Sequence, residues 1–195
     1  MKYILFLLLL SPFILSLKKE ETKNTILKTE DPKDNFIDWS KKRLEWADYL
    51  CEPDPSSDAA ATTTTYLGVE YKISKSVFSY RIACRFSKEK SWGLHKTSYI
   101  LAHEQGHFDI TEIFARELNK RLSKYNFNKR TFQDDLKKIY DRVMEDKEDF
   151  QREYDEDTDY SRNRARQLAW LEKIENILEE TEEYAYYEKI DQNNP

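Results

Sequence analysis

Two stretches near the middle of the chain alternate strictly between apolar and polar or small residues. Their apolar positions are Leu67, Val69, Tyr71 and Ile73, then Phe78, Tyr80, Ile82, Cys84 and Phe86. A period of two predicts β-strands with one buried face. Ser74-Lys75-Ser76 separates the two runs, so the pattern predicts an antiparallel hairpin with a three-residue loop.

From Thr97 onward the apolar period becomes helical, and Thr97 or Ser98 can serve as the N-cap. The first predicted helix has an apolar surface of Ile100, Leu101, Phe108, Ile113, Phe114, Leu118 and Leu122. A second helix follows Thr131 and has the stripe Phe132, Leu136, Ile139, Tyr140, Val143, Phe150 and Tyr154. After a polar break at residues 155–161, a third helix has the apolar positions Ala165, Leu168, Ala169, Leu171, Ile174 and Leu178. The predicted fold class is α+β, with a small antiparallel sheet followed by three long helices.

The two ends of the chain differ from this middle part. The first 17 residues, MKYILFLLLLSPFILSL, form one apolar run that is short for a membrane span and typical of a secretory signal peptide. We therefore predict an exported protein, periplasmic or extracellular, with no stable membrane span after signal cleavage. The predicted boundaries are 1–17 for the signal peptide, 18–35 for a flexible polar leader, 36–180 for the folded domain and 181–195 for an acidic tail.

Composition narrows the functional classes. Aromatic residues make up 14% of the chain, which is too many for a disordered protein. Three glycines and five prolines favour long helices over a fold with many turns. The net charge of -5 and a pI near 5.4 argue against nucleic acid as a partner.

Cys51 and Cys84 are the two cysteines of the chain. Export into an oxidising compartment would favour a structural Cys51–Cys84 disulfide, which would tie the loop after the first segment to the second strand. The alternative is that both are small buried hydrophobic residues, and Cys84 does fall on an apolar strand face. The sequence leaves both possibilities open.

The first helix contains the stretch His103-Glu104-Gln105-Gly106-His107, which uses two of the chain's three histidines. Residues four apart point to the same side of a helix, so both imidazoles could bind one ion. This HExxH arrangement is typical of zinc sites in which a carboxylate takes a proton from water. The sequence predicts His103 and His107 as zinc ligands and Glu104 as the general base. The plain alternative is a pair of partly buried polar histidines.

Gly106 lies inside this predicted helix, where glycine costs about 1 kcal/mol relative to alanine. The missing side chain would let a strand, a neighbouring helix or a substrate backbone come close to the metal. A packing glycine is an equally good interpretation.

A third ligand must come from another segment, because the histidine face of the helix continues with Ile110 and Thr111. Asp109 and Glu112 point away from that face and are expected to be supporting or capping partners, for example of a histidine's other nitrogen. We reject His95 as the third ligand, because it precedes the N-cap and is expected in a solvated loop. The remaining candidates lie in the polar break: Asp155, Glu156, Asp157 and Tyr160.

Three stretches of this chain resemble a known family. They are LEWADYLCEPDPSSDAAATTTTYLGVEY, FSKEKSW and AHEQGHFDITEIFAREL, within a similarity that extends from Asp38 to Leu178. The chain is similar to family 922 of the domains of unknown function, bacterial proteins regarded as exported zinc-dependent peptidases. The resemblance implies a zincin-like fold, with His103 and His107 as ligands and Glu104 as the catalytic base on the first long helix.

The chain departs from the family pattern at one position. The segment YDEDTDY matches a family pattern Y-D-x-x-T-x-H, so Tyr160 stands where the family has a histidine that could be the third ligand. A phenolate binds zinc less well than imidazole at neutral pH, because its pKa is near 10. The third ligand is therefore open between Tyr160 and Asp155, Glu156 or Asp157. Tyr160 could instead be an aromatic core residue.

Two functional hypotheses follow from these residues. The first is an exported zinc-dependent metallohydrolase, a peptidase that acts on peptide or protein substrates. The second is a catalytically silent protein that keeps the zincin fold and serves as an envelope-binding or scaffold protein. Stoichiometric zinc and zinc-dependent cleavage distinguish the first hypothesis from the second.

Overall fold

A computed structural model describes residues 24–25, 35–40, 42–74, 77–187 and 190–191 of the chain. The predicted signal peptide, residues 1–17, lies outside the described residues. The predicted leader, residues 18–35, also lies outside them apart from residues 24–25 and 35.

The described strands form one antiparallel sheet and one small ladder. In chain order they are β1 (Asn24–Thr25), β2 (Phe36–Asp38), β3 (Ala61–Thr62), β4 (Thr65–Ser74), β5 (Val77–Ser87), β6 (Trp92–Gly93) and β7 (Ile190–Asp191). The sheet has the order β1-β4-β5-β2, and β7 also pairs with β5. β3 pairs with β6 in a separate two-stranded ladder.

The predicted hairpin is confirmed as β4 and β5. The register pairs Leu67 with Cys84 and Val69 with Ile82, so the alternating apolar residues share one face. That face is buried and comprises Leu67, Val69, Tyr71, Phe78, Tyr80, Ile82, Cys84 and Phe86. Ser74 pairs with Val77 and belongs to the strand, so the connection is shorter than the predicted three residues.

Three long helices follow the sheet, which confirms the predicted α+β order. They are α1 (Ser98–Ser123), α2 (Phe132–Asp157) and α3 (Arg164–Glu180). Short 3-10 helices lie at Trp46–Asp48, Lys88–Lys90 and Glu182–Tyr184. α1 contacts β4 and β5 on one side and both other helices on another, so it is the central element of the domain. Within the described ranges, no helix combines the length and hydropathy that crossing a bilayer requires.

The second helix continues further than the sequence predicted. Residues 155–157 belong to the last turn of α2 rather than to a polar break. The helix is closed by Thr158, whose backbone N–H and hydroxyl both donate to the Tyr154 carbonyl. The chain then reverses through three residues with positive φ before α3 begins: Asp159, Tyr160 and Ser161.

The buried face of α3 differs from the predicted one. Leu168 was predicted to lie on the apolar face of the helix, but it is 67% exposed. Gln167 and Trp170 are buried instead, together with Ile174, which was predicted on that face. Trp170 packs edge-on against Phe150 and donates its Nε1–H to Asp157. The predicted apolar face contained only Ala, Leu and Ile and left out Trp170. The buried indole of Trp170 therefore decides which face of α3 is turned toward the core.

The part of the predicted acidic tail that the structure describes includes a buried residue. Tyr187 is 8% exposed and donates its hydroxyl to the Glu112 carboxylate of α1. The chain up to Tyr187 thus packs as part of the folded domain.

The Cys51–Cys84 disulfide, one of the two possibilities that the sequence left open, is not formed, and both thiols are free. Cys84 is buried on the inner face of β5, where burial first and then the nearby Glu112 carboxylate raise the pKa of its thiol. Cys51 lies in the loop after the first 3-10 helix, and its thiol is 3.5 Å from the carbonyl oxygen of Glu52. The two side chains therefore have separate partners, and Cys84 behaves as a small buried hydrophobic residue.

Candidate metal centre

The two predicted histidine ligands lie side by side on α1. The helix begins where predicted, because the Thr97 hydroxyl accepts from the Ile100 N–H as N-cap. One helical turn separates His103 from His107, and their ring centroids are 4.9 Å apart in an edge-to-face arrangement. His103 is 4% exposed. Two imidazoles thus face one small region between α1 and α2.

Asp155, in the last turn of α2, faces the same region. Its Oδ1 lies 3.2 Å from His103 Nε2 and 3.0 Å from His107 Nε2. The ligand atoms of these three residues all lie within 4.8 Å of one another, so the group could hold a metal ion. Two imidazoles and one carboxylate are a ligand set that zinc accepts in catalytic sites, which keep a further position for water or substrate.

Gly106 explains how α2 comes so close to α1. A Cβ added there would lie 2.5 Å from the Tyr154 hydroxyl oxygen and 2.9 Å from Cζ of the same ring. In the space left by the missing side chain, the Tyr154 ring stacks on His103 at 4.6 Å between centroids. The Tyr154 hydroxyl also donates to the His103 carbonyl. Because Tyr154 precedes Asp155, this contact places the Asp155 carboxylate beside both histidines.

Gln151 fixes the orientation of the second histidine, and the sequence analysis did not identify it. Its Nε2 donates to the His107 carbonyl oxygen at 2.9 Å, which leaves Oε1 to accept from His107 Nδ1. A proton held on Nδ1 leaves the lone pair of Nε2 free for a metal ion. Gln151 lies four residues before Asp155, so the helical spacing from a correctly chosen Asp155 could have revealed it.

His103 Nδ1 is buried and has no hydrogen-bond partner among the described residues. A buried nitrogen without a partner costs free energy, so side chains in a purely structural cluster usually avoid this situation. The other ring nitrogen of His103, Nε2, does have a partner, which is the carboxylate of Asp155. Both histidines therefore direct the same atom toward the carboxylate.

The charges of the cluster are coupled. Burial by itself raises the pKa of Asp155, but hydrogen bonds to His103 and His107 outweigh it and hold the pKa well below its usual value. Burial lowers the pKa of His107, yet the hydrogen bond and charge of Asp155, followed by Glu104, raise it to about 8. A proton thus neutralises the cluster in this state, and a bound cation would take over that role.

Glu104 and the cluster line one cleft of about 1060 Å³. The cleft is lined by residues 58–65, by residues of α1 and α2, and by residues 160–162. Glu104 is 4% exposed, and its charge is among those that raise the pKa of His107. The predicted base therefore lies beside the candidate ligands in a space that a substrate could enter.

The chain matches a protein family described as "Bacterial protein of unknown function (DUF922)" over residues 21–162, which is more than half of its length. The chain belongs to this family. Searches of curated proteins and of solved structures find no match. The DUF922 region includes both histidines, Glu104 and Asp155, and it ends just before α3.

Within the DUF922 region, the structure distinguishes the remaining candidates for the third ligand. Asp155 joins the histidines, whereas Asp157 accepts from Trp170 Nε1 and Glu156 is exposed. Tyr160 is 57% exposed and lines the cleft, so its interpretation as a core residue is wrong. His95 lies exposed in the loop before α1 and is outside the ligand group, in agreement with its rejection.

The expected partners of the histidines' other nitrogens are also corrected. Asp109 accepts from Trp39, Arg43 and Gln105 rather than from a histidine. Glu112 accepts from Arg116 and Tyr187. Both carboxylates do point away from the histidine face, as predicted, but their partners come from segments distant in sequence.

Proposed function

We propose that this protein is an exported zinc-dependent hydrolase that cleaves peptides, with a zincin-like arrangement of its site. The convergence of His103 Nε2, His107 Nε2 and Asp155 Oδ1 in a cleft that also holds Glu104 carries the proposal. The apolar run at residues 1–17 supports export, because it is typical of a secretory signal peptide.

The residues present fit zinc rather than a harder cation. Zinc accepts imidazole nitrogens together with a carboxylate oxygen, whereas calcium and magnesium prefer all-oxygen sites. His103, His107 and Asp155 would be the protein ligands. The neighbouring Gln151 and Tyr154 hold the second histidine and the carboxylate in place through the contacts described above.

Each residue of the site has a chemical role in this proposal. Zinc, when bound, supplies Lewis acidity that polarises a carbonyl and lowers the pKa of water to about 7. The Glu104 carboxylate accepts the proton of the attacking water and returns it to the departing amine. Gln151 keeps the proton of His107 on Nδ1, so that Nε2 stays available as a ligand.

Metal analysis combined with hydrolysis of a broad peptide library tests the proposal. We expect wild type and Glu104→Gln to retain stoichiometric zinc, while Glu104→Gln loses about 10²- to 10⁴-fold in hydrolysis rate because proton transfer is lost. Asp155→Ala should lose zinc, because only two imidazoles would remain as protein ligands and catalytic zinc sites use three. Tyr160→Phe tests the alternative ligand, because Tyr160 lines the same cleft with a side chain that is 57% exposed. If Asp155 is the third ligand, loss of the phenol should leave zinc affinity unchanged.

Equal hydrolysis by wild type and Glu104→Gln would overturn the assigned mechanism. Absence of stoichiometric metal, a melting temperature that is insensitive to chelator and no peptide cleavage would together favour the silent envelope-binding or scaffold protein. Weakened zinc binding in Tyr160→Phe would assign the third ligand to Tyr160 instead of Asp155.

A further inference from the structure

Lys147 is a buried lysine in the middle of α2, with its side chain 7% exposed. Lysine is almost never this buried unless it has a partner, because removing an ammonium from water is costly. The residue one turn earlier on the same helix is Val143, which is fully buried. An apolar residue would therefore suit the position of Lys147 better on grounds of stability alone.

The partner that the structure gives this ammonium is a weak one. Lys147 Nζ lies 2.8 Å from Glu148 Oε1, and the Glu148 side chain is 63% exposed. Adjacent residues on a helix point in different directions, and an exposed carboxylate is screened by water. An ammonium has three N–H donors, so further donors remain for another acceptor.

Lys147 lies on the helix face that forms the candidate metal centre. Positions 147, 151 and 155 follow one another at four-residue spacing, and all three residues line the cleft. Lys147 and Asp155 are thus about 12 Å apart along the helix axis. A ligand extended along α2 within this cleft would pass both Lys147 and the metal cluster.

We propose that Lys147 binds a carboxylate of the peptide that occupies the cleft, and that this contact selects the substrate. The inference rests on the proposed peptidase function and adds a substrate class to it. An extended chain covers about 3.3 Å per residue, so the recognised carboxylate lies about three or four residues from the cleaved bond. Both the C-terminal carboxylate and the side chain of an acidic residue supply this chemistry.

Binding measured by calorimetry tests the proposal without requiring turnover. The proteins are zinc-loaded Glu104→Gln and metal-free wild type, and the probes are four N-acetylated peptides. Penta-alanine with a free C-terminus is compared with its C-terminal amide, and an amidated alanine peptide with one central glutamate is compared with its glutamine counterpart. We expect the carboxylate form of at least one pair to bind about 10- to 100-fold more tightly, since hydrogen bonds between charged groups contribute this much.

Lys147→Met, which keeps the length and removes the charge, should abolish that preference in both backgrounds, and Lys147→Arg should keep part of it. Lys138→Met removes the same charge from an exposed position of α2 and should preserve the preference in full. Thermal unfolding should show Lys147→Met at least as stable as wild type.

A preference that survives in Lys147→Met, or carboxylate and neutral peptides that bind equally well, would overturn the role of Lys147 while leaving the proposed hydrolase intact. If none of the four peptides binds to either protein, the peptide substrate itself fails, and the role of Lys147 fails with it. The pair that shows the preference distinguishes recognition of a chain end from recognition of an acidic side chain.

Discussion

The central helix α1 carries two buried polar clusters that differ in how fully their groups are bonded. The closed cluster consists of Asp109, Glu112 and Arg116 with their partners. Asp109 accepts from three side chains, at 2.8 Å from Trp39, 2.9 Å from Arg43 and 2.8 Å from Gln105. Burial raises the pKa of both carboxyl groups in this cluster, and hydrogen bonds and nearby charge partly offset that effect.

The open cluster, His103, His107 and Asp155, lies on the other side of the helix. Here two imidazoles share one carboxylate oxygen, and His103 Nδ1 has no partner among the described residues. The closed cluster joins α1 to the C-terminal segment through the bond from Tyr187 to Glu112. Both clusters border clefts of similar volume, about 1050 Å³ and 1060 Å³, so they differ in their bonding rather than in access to a cleft.

This difference separates a structural role from a functional one. Burying charge is costly, so a cluster that serves the fold supplies an acceptor for each donor. A buried cluster whose imidazole and carboxylate atoms converge on one point of a cleft has ligand atoms available for a group from outside the chain. Three ligand atoms that converge on one point, beside a buried His103 Nδ1 that has no partner among the described residues, therefore indicate a binding site more strongly than burial or charge would alone.

The largest expected effect concerns the closed cluster. Glu112 is 1% exposed, and Glu112→Ala would leave the buried Arg116 without its ionic partner at 2.8 Å. We expect the free energy of unfolding to fall by about 3–5 kcal/mol, because an unpaired buried charge is strongly destabilising. Urea denaturation measures this change, and zinc affinity should stay at the wild-type value.

Glu112→Gln is the matched control, since it keeps an oxygen that can accept from Tyr187, and it should cost less than the alanine variant. A Glu112→Ala protein that keeps its stability and loses zinc would reverse the roles assigned to the two clusters.

The sequence predicted the parts of the fold that depend on local pattern. The alternating residues of β4 and β5 were identified from their neighbours alone, and the same reasoning limited the cap of α1 to Thr97 or Ser98. The histidine pair was identified because a helix brings residues four apart to one side. The length of α2 was misjudged, because an acidic stretch resembles a solvated loop until the packing of Tyr154 against Gly106 is known.

The rest of the site depends on contacts between distant segments. Asp155 was one of four candidates for the third ligand. It differs from the other three because α2 comes close to α1 at this point and brings Asp155 next to His103, 52 residues away in the sequence. Gln151 gave no signal by itself, because glutamine on a charged helix is usually solvated. The partners of Asp109 and Glu112 include Trp39 and Tyr187, near opposite ends of the domain, and no periodicity connects those positions.

A second, smaller effect should appear in how the free energy of unfolding of the metal-free protein depends on pH, because the open cluster contains titrating groups. The folded pKa of His107, about 8, is higher than its ordinary value of 6.5. Protonated His107 therefore stabilises the fold fully below about pH 6.5, and this contribution disappears as the pH rises through 8. The loss should be about 2 kcal/mol. The depressed pKa of Asp155 adds no slope in this window, since its contribution is lost only in acid.

Urea denaturation of wild type and His107→Gln at about pH 6 and about pH 9 tests this contribution, because titrating groups distant from the cluster cancel in the difference between the two proteins. In the zinc-loaded protein the trend should reverse, since a metal-bound imidazole stays neutral while the unfolded imidazole takes up a proton below about pH 6.5. The same difference between the two proteins at both pH values would contradict the raised pKa of His107.

The smallest expected effect concerns backbone strain, which the described residues show at the rim of the open cluster. Asp159, Tyr160 and Ser161 have φ values of 49°, 50° and 68°, in the left-handed region that costs side-chain-bearing residues about 1–2 kcal/mol each. Ser161→Gly and Ser161→Ala both remove the hydroxyl, but only alanine keeps the Cβ that causes the strain. Glycine also makes the unfolded chain more flexible, which offsets about 0.4–1 kcal/mol of the relief. We therefore expect the glycine variant to be more stable than the alanine variant by about 0.5–1 kcal/mol in urea denaturation.

Both variants should bind zinc like wild type, because Asp155 lies in the helix before the turn. An alanine variant that equals or exceeds the glycine variant in stability would show that the turn is not strained, and the rim would then resemble the relaxed surroundings of the closed cluster.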